Sequence, residues 1–105
     1  MRILMAVLLI GAAARAEVDA KIVKTWKAKC ASCHGVDGKA ETETGKKAKI
    51  SDFSKADWQK GKTDAQIKTA IENGTKKGDA EMDPYKDKLS AEQIDGLVAY
   101  VRSLK

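Results

Sequence analysis

The 105-residue sequence carries 20 basic and 15 acidic side chains, 43% hydrophobic residues and a formal charge of +5. That length holds one domain, but 13 of the 45 apolar residues fall within the first 16 positions. Of the remaining 89 residues only 19 are Val, Ile, Leu, Met, Phe, Trp or Tyr. So short a chain rarely builds a sufficient core from so few, and a disulfide, metal or cofactor is expected to complete it.

Residues 1–16 read as a secretory signal peptide. Arg2 supplies the positive start, residues 3–10 the apolar run, and Ala14, Arg15 and Ala16 a small-x-small cleavage site. The run ends well short of the roughly 20 apolar residues that span a bilayer. The expected product is a domain of residues 17–105 in the periplasm, without a stable membrane anchor. Loss of Arg2 and Arg15 lowers the charge from +5 to +3.

Val18, Ile22 and Trp26 recur every fourth residue, with Val23 and Cys30 near the same face, which predicts a helix over 19–30. Residues 35–49 hold three glycines, seven charges and one large apolar residue, Val36, and read as a loop. Thr63 and Gln66 form a capping box, opening a helix through Ile67 and Ile71 that stops at Gly74. A second loop over 74–89 carries the only proline, Pro84. Ser90 and Gln93 cap a last helix with Ile94, Leu97, Val98, Val101 and Leu104 on one stripe. No segment alternates with period two, so the predicted class is all-α.

The only two cysteines and the only histidine share one run, Cys30-Ala31-Ser32-Cys33-His34. Random placement gives such a cluster roughly one time in 5,000, so it needs a cause. A dithiol redox site is expected in a fold with strand–helix–strand units, and no strand pattern exists here. A zinc site needs a fourth ligand, and no further Cys or His exists. Covalent haem explains the spacing, since C-x-x-C-H is its attachment signature. Two thiols one helical turn apart can form thioethers with the vinyl groups, leaving His34 as the iron ligand.

The opposite face of the iron needs an account as well. Met82 is the only methionine of residues 17–105, lies in a polar segment with no helical stripe to join, and precedes Pro84 by two residues. It is the candidate sixth ligand. A lysine such as Lys76 or Lys77, or an open site, is the alternative. Met/His ligation fills both axial positions and favours ferrous iron, which suits an electron carrier rather than an enzyme. An open site would instead suit a peroxidase or a gas sensor.

These residues closely resemble the class I cytochromes c, in particular small bacterial single-haem members. The likeness runs through the first helix, C-A-S-C-H-G, the charged loop, the capped middle helix, M-x-P-Y and the terminal L-V-A-Y-V-R-S-L. It implies the cytochrome c fold, three to five helices wrapped around one covalent haem c with its iron, the first and last helices crossing. In that family an aromatic residue four before the first cysteine meets another on the last helix, and Trp26 and Tyr100 match those positions. Two features depart from the family pattern. Ile22 stands where a glycine often permits close helix approach. No proline follows the haem motif to offer its carbonyl to the axial histidine, so the acceptor for the His34 ring N–H is open. Trp58 matches either a tryptophan near a haem propionate or a core aromatic under a loop.

Lys24, Lys27 and Lys29 precede the motif, and Lys76, Lys77, Lys86 and Lys88 surround Met82. Such residues make either a plain solvated face or a basic ring that steers redox partners with acidic docking surfaces. Arginine is rare and aromatics do not interleave with the basic residues, so no nucleic-acid partner is expected, and the protein is read as a monomer. The small apolar inventory makes haem part of the core. The haem-free polypeptide is therefore expected to be largely unfolded by far-ultraviolet circular dichroism; a cooperative unfolding transition without haem would contradict this.

Overall fold

The structure, a computed structural model, describes residues 18–77 and 80–105. The expected signal peptide at 1–16 lies outside the described residues, as do Glu17, Gly78 and Asp79. Six helical segments and one two-stranded ladder make up the fold.

Helix α1 (Ala20–Lys29) starts where Asp19 Oδ1 accepts the Ile22 N–H at 2.9 Å, and Lys27 and Lys29 in its last turn complement the helix dipole. Its inward face is Ile22 and Trp26. One further turn, α2 (Ala31–His34), follows directly, with the His34 N–H donating to the Cys30 carbonyl. Helix α3 (Glu43–Ala48) begins at Thr42, whose Oγ1 accepts the Gly45 N–H at 2.8 Å and donates to the Cys33 carbonyl at 2.7 Å. The segment 35–49 is thus not simply a loop. Its single apolar residue gave no helical stripe, and a local cap tied to the haem motif creates the short helix instead.

Helix α4 (Ala56–Gly61) was likewise unforeseen. Helix α5 (Asp64–Asn73) and helix α6 (Ala91–Ser103) both carry the expected capping boxes, at Thr63/Gln66 and Ser90/Gln93. Between them, β1 (Thr75–Lys77) and β2 (Ala80–Met82) pair antiparallel, Thr75 opposite Met82 and Lys76 opposite Glu81. Strands of three residues are too short to show a period-two pattern. The class remains all-α, with three helices of ten or more residues and three short ones rather than three to five in total.

The core joins α1, α5 and α6 through Ile22, Trp26, Ile67, Ile71, Ile94, Leu97, Val98, Tyr100 and Val101, with Leu89 beneath. Leu97 is the most deeply buried. Helices α1 and α6 cross in contact, although Ile22 replaces the glycine expected there. The small residue is on the partner helix: a Cβ at Gly96 would fall on Ile22 Cδ1 and stand 2.7 Å from its Cγ1. The notch and the knob have exchanged helices. Buried Gln59 ties α4 to α6, its Nε2 donating to the carbonyls of Phe53 at 2.7 Å and Val101 at 2.9 Å. Arg102 donates in turn to the Gln59 carbonyl and Oε1, to Asp64 and to the Lys62 carbonyl. Among the described residues no helix is long and apolar enough to cross a membrane.

A methyl group at position 96 brings about 0.5–1 kcal/mol of helix propensity but overpacks a filled notch, which costs about 1–3 kcal/mol. Gly96→Ala is therefore expected to destabilise the holoprotein in denaturant unfolding. Adding Ile22→Val, which deletes Cδ1, is expected to recover part of the loss.

Candidate functional site

The site grows from the end of α1. The Cys30 N–H closes on the Trp26 carbonyl at 2.8 Å, and the Gly35 N–H on that of Ala31 at 2.8 Å. Cys30, Cys33 and His34 therefore share one helical turn, which makes the two thiols neighbours. Both cysteines are free and half-buried, and Cys30 packs against the core. Burial pushes the Cys30 thiol up to about 11, against a smaller opposing pull from Lys29. A dithiol redox centre needs its thiol shifted the other way, so the geometry disfavours that reading. The zinc reading gains nothing either: among the described residues no three His, Cys, Asp or Glu side chains are grouped to hold a metal ion.

The His34 ring packs beside two aromatic rings, Phe53 stacked at 4.9 Å and Trp26 tilted at 5.8 Å. Burial lowers its pKa, which keeps the imidazole neutral and its lone pair available. Its Nδ1 is buried and finds no hydrogen-bond partner among the described residues. A core histidine held only for packing would be satisfied. This one is not. The carbonyls nearby are already engaged. Cys33 O accepts from Thr42 Oγ1, His34 O from the Ala40 N–H, Gly35 O from Trp26 Nε1 at 2.9 Å and Val36 O from the Tyr100 hydroxyl at 2.9 Å.

Trp26 and Tyr100 stack at 4.7 Å where α1 and α6 cross, as the sequence likeness implies. Their polar ends grip the two carbonyls that follow His34, so the crossing clamps the motif's backbone. Trp58 is half-buried with its ring 4.2 Å from Phe53, and both pack against the core. This agrees with a core aromatic under a loop. Phe53 was missed in the sequence. It is the only phenylalanine, and it sits in a polar turn without a stripe, a sign that its partner is not a helix face.

Met82 ends β2, half-buried and packed against the same core as Cys30. Three residues on, the Tyr85 hydroxyl donates to the Lys29 carbonyl at 3.3 Å, joining the Met82 segment to the end of α1. Lys76 is exposed, and the Lys77 side chain lies outside the description. The chain thus offers two neutral thiols, a neutral imidazole with an unsatisfied buried nitrogen, and one half-buried thioether. That donor set fits haem c.

Comparison with known proteins points the same way. The family model described as cytochrome c oxidase, cbb3-type, subunit III matches residues 17–101. The solved structure titled "KustC0563 c-type cytochrome" is 36% identical, with a TM-score of 0.71 over 79% of this chain and 95% of that one. A tyrosine-to-phenylalanine variant of the same protein is 36% identical, with a TM-score of 0.70 over 80% of this chain and 98% of that one. No curated protein matches.

Replacing Trp26 by Phe keeps a ring at the crossing but removes the shorter of the two hydrogen bonds to the Gly35 carbonyl, leaving the Gly38 N–H at 3.2 Å. The expected cost is about 0.5–1.5 kcal/mol in denaturant unfolding of the holoprotein. An unchanged midpoint would show that the bond does not hold the motif.

Proposed function

The chain belongs to the cytochrome c family described as cbb3-type cytochrome c oxidase subunit III and binds one haem c covalently, and on that premise we propose that it carries single electrons in the periplasm through an iron held by His34 and Met82. The observation that carries the reading is the setting of Met82. The sole methionine of residues 17–105 stands half-buried against the core that also receives Cys30, on a strand paired with β1, which follows α5 directly after Gly74.

The residues divide the work. Cys30 and Cys33, one helical turn apart, hold the group through two thioethers. Bound haem supplies a one-electron iron couple. His34 contributes an imidazole whose neutral form burial favours, with the rings of Trp26 and Phe53 packed beside it. The Met82 thioether stabilises ferrous iron and raises the potential relative to harder ligands. With both axial positions filled, no site is left for oxygen or peroxide, which favours a carrier over an enzyme.

Export and partner follow from the same reading. The family match begins at residue 17, directly after the leader proposed at 1–16, which supports a domain of residues 17–105. Lys24, Lys27, Lys29, Lys76, Lys86 and Lys88 are exposed. None of them forms a salt bridge among the described residues. Unneutralised charge at the end of α1 and around Met82 suits a redox partner with an acidic docking face.

Met82→Ala is expected to lower the midpoint potential by at least ~60 mV, a tenfold change in the reduced-to-oxidised ratio for one electron, and to let the reduced protein bind carbon monoxide. An unchanged potential would refute Met82 as ligand. Electron transfer to an acidic redox protein, followed by stopped flow, is expected to slow as salt rises and to slow further in Lys27→Glu. A salt-independent rate would refute the steering role.

A further inference from the structure

Gly74 closes α5 with φ 73° and ψ 176°, a backbone region that is essentially reserved for glycine. Its conformation is only half of its distinction. A Cβ at this position would fall on the Met82 carbonyl oxygen and stand 2.9 Å from Pro84 N and 3.0 Å from the Asp83 carbonyl carbon. All three atoms are backbone, so none can swing aside as the end of a side chain does. The neighbouring Thr75 is the ladder partner of Met82. Further on, the Tyr85 N–H donates to the Ile71 carbonyl at 2.9 Å and the Lys86 N–H to the Glu72 carbonyl at 3.1 Å. Those two carbonyls, which a helix end otherwise leaves unpaired, are taken up by the chain that follows Met82. Residues 82–84 thus lie directly across position 74.

We propose that Gly74 is a positioning residue for the Met82 ligand: having no side chain, it lets the Met82–Pro84 backbone seat on the end of α5 and so sets where the thioether stands. This rests on the reading of Met82 as an iron ligand. The contrast with two other glycines sharpens it. The three atoms nearest a Cβ at Gly96 all belong to the side chain of Ile22, and the Cβ at Gly61 would meet nothing within 4 Å. Three equal substitutions therefore separate displacement of the methionine from loss of stability.

The test uses holoproteins carrying Gly74→Ala, Gly74→Ser, Gly96→Ala, Gly61→Ala and Met82→Ala, each studied well below its unfolding midpoint. Three readouts are taken: the methionine–iron charge-transfer band of the oxidised form, carbon monoxide binding to the reduced form, and thermal unfolding. Both Gly74 variants are expected to lose the band and gain carbon monoxide binding. Gly96→Ala is expected to lose stability yet keep the band, and Gly61→Ala to keep both. The double variant Gly74→Ala/Met82→Ala is expected to bind carbon monoxide no faster than Met82→Ala alone, because the glycine acts through the methionine. Retention of the band in the Gly74 variants while Met82→Ala loses it would overturn the positioning role alone. Retention of the band in Met82→Ala would overturn the ligand reading and the inference with it. Loss of the band in Gly96→Ala to the same extent as in the Gly74 variants would reduce the effect to stability and overturn the proposal.

Discussion

The contact on which the rest depends is the crossing of α1 and α6. Ile22 fills the notch at Gly96, and one turn further along Trp26 stacks on Tyr100. Each ring then reaches past the crossing with its polar end, so that the carbonyls of Gly35 and Val36 are held by residues from opposite ends of the sequence. Apolar packing at one point thereby becomes positional control of the cysteines and histidine immediately before those carbonyls. The apolar inventory is too small to spread this task over many contacts, and it is concentrated here.

Around that clamp the chain arranges neutrality. Burial holds His34 in its unprotonated form and Cys30 as a thiol, while the basic side chains stay on the surface. A low-charge interior suits the apolar faces of a bound haem, and the lowered pKa of His34 favours its neutral imidazole. The Met82 side is built differently. It has no long helix behind it and depends on a three-residue ladder, the last carbonyls of α5 and a single tyrosine hydroxyl. Of the two proposed axial ligands, His34 is placed by tertiary packing and Met82 by backbone hydrogen bonding at a helix end.

Much of this was legible in the sequence because it is written in local signals. Capping boxes at Thr63/Gln66 and Ser90/Gln93 marked two helix starts, and C-x-x-C-H marked the cofactor. What could not be read depends on relations between distant residues. Ile22 stands out against the family pattern while Gly96 looks unremarkable alone, and only their pairing explains how the crossing survives without the expected glycine. Gln59 and Arg102 look like surface polar residues, yet Gln59 is buried and joins α4 to α6 through three hydrogen bonds, one to the Val101 carbonyl and two from Arg102. Phe53 carries no periodicity because its partners are the rings of His34 and Trp58. The acceptor for His34 Nδ1, open in the sequence for want of a proline, is not supplied by the described residues.

An electron carrier of the proposed kind requires a closed, six-coordinate iron. Its most direct test is the visible spectrum of the unaltered holoprotein, recorded oxidised, reduced, and reduced under carbon monoxide. A methionine–iron charge-transfer band in the oxidised protein, with a reduced spectrum that carbon monoxide leaves unchanged, is the predicted result. Absence of that band together with rapid carbon monoxide binding would contradict it and leave an open-site haem protein in its place.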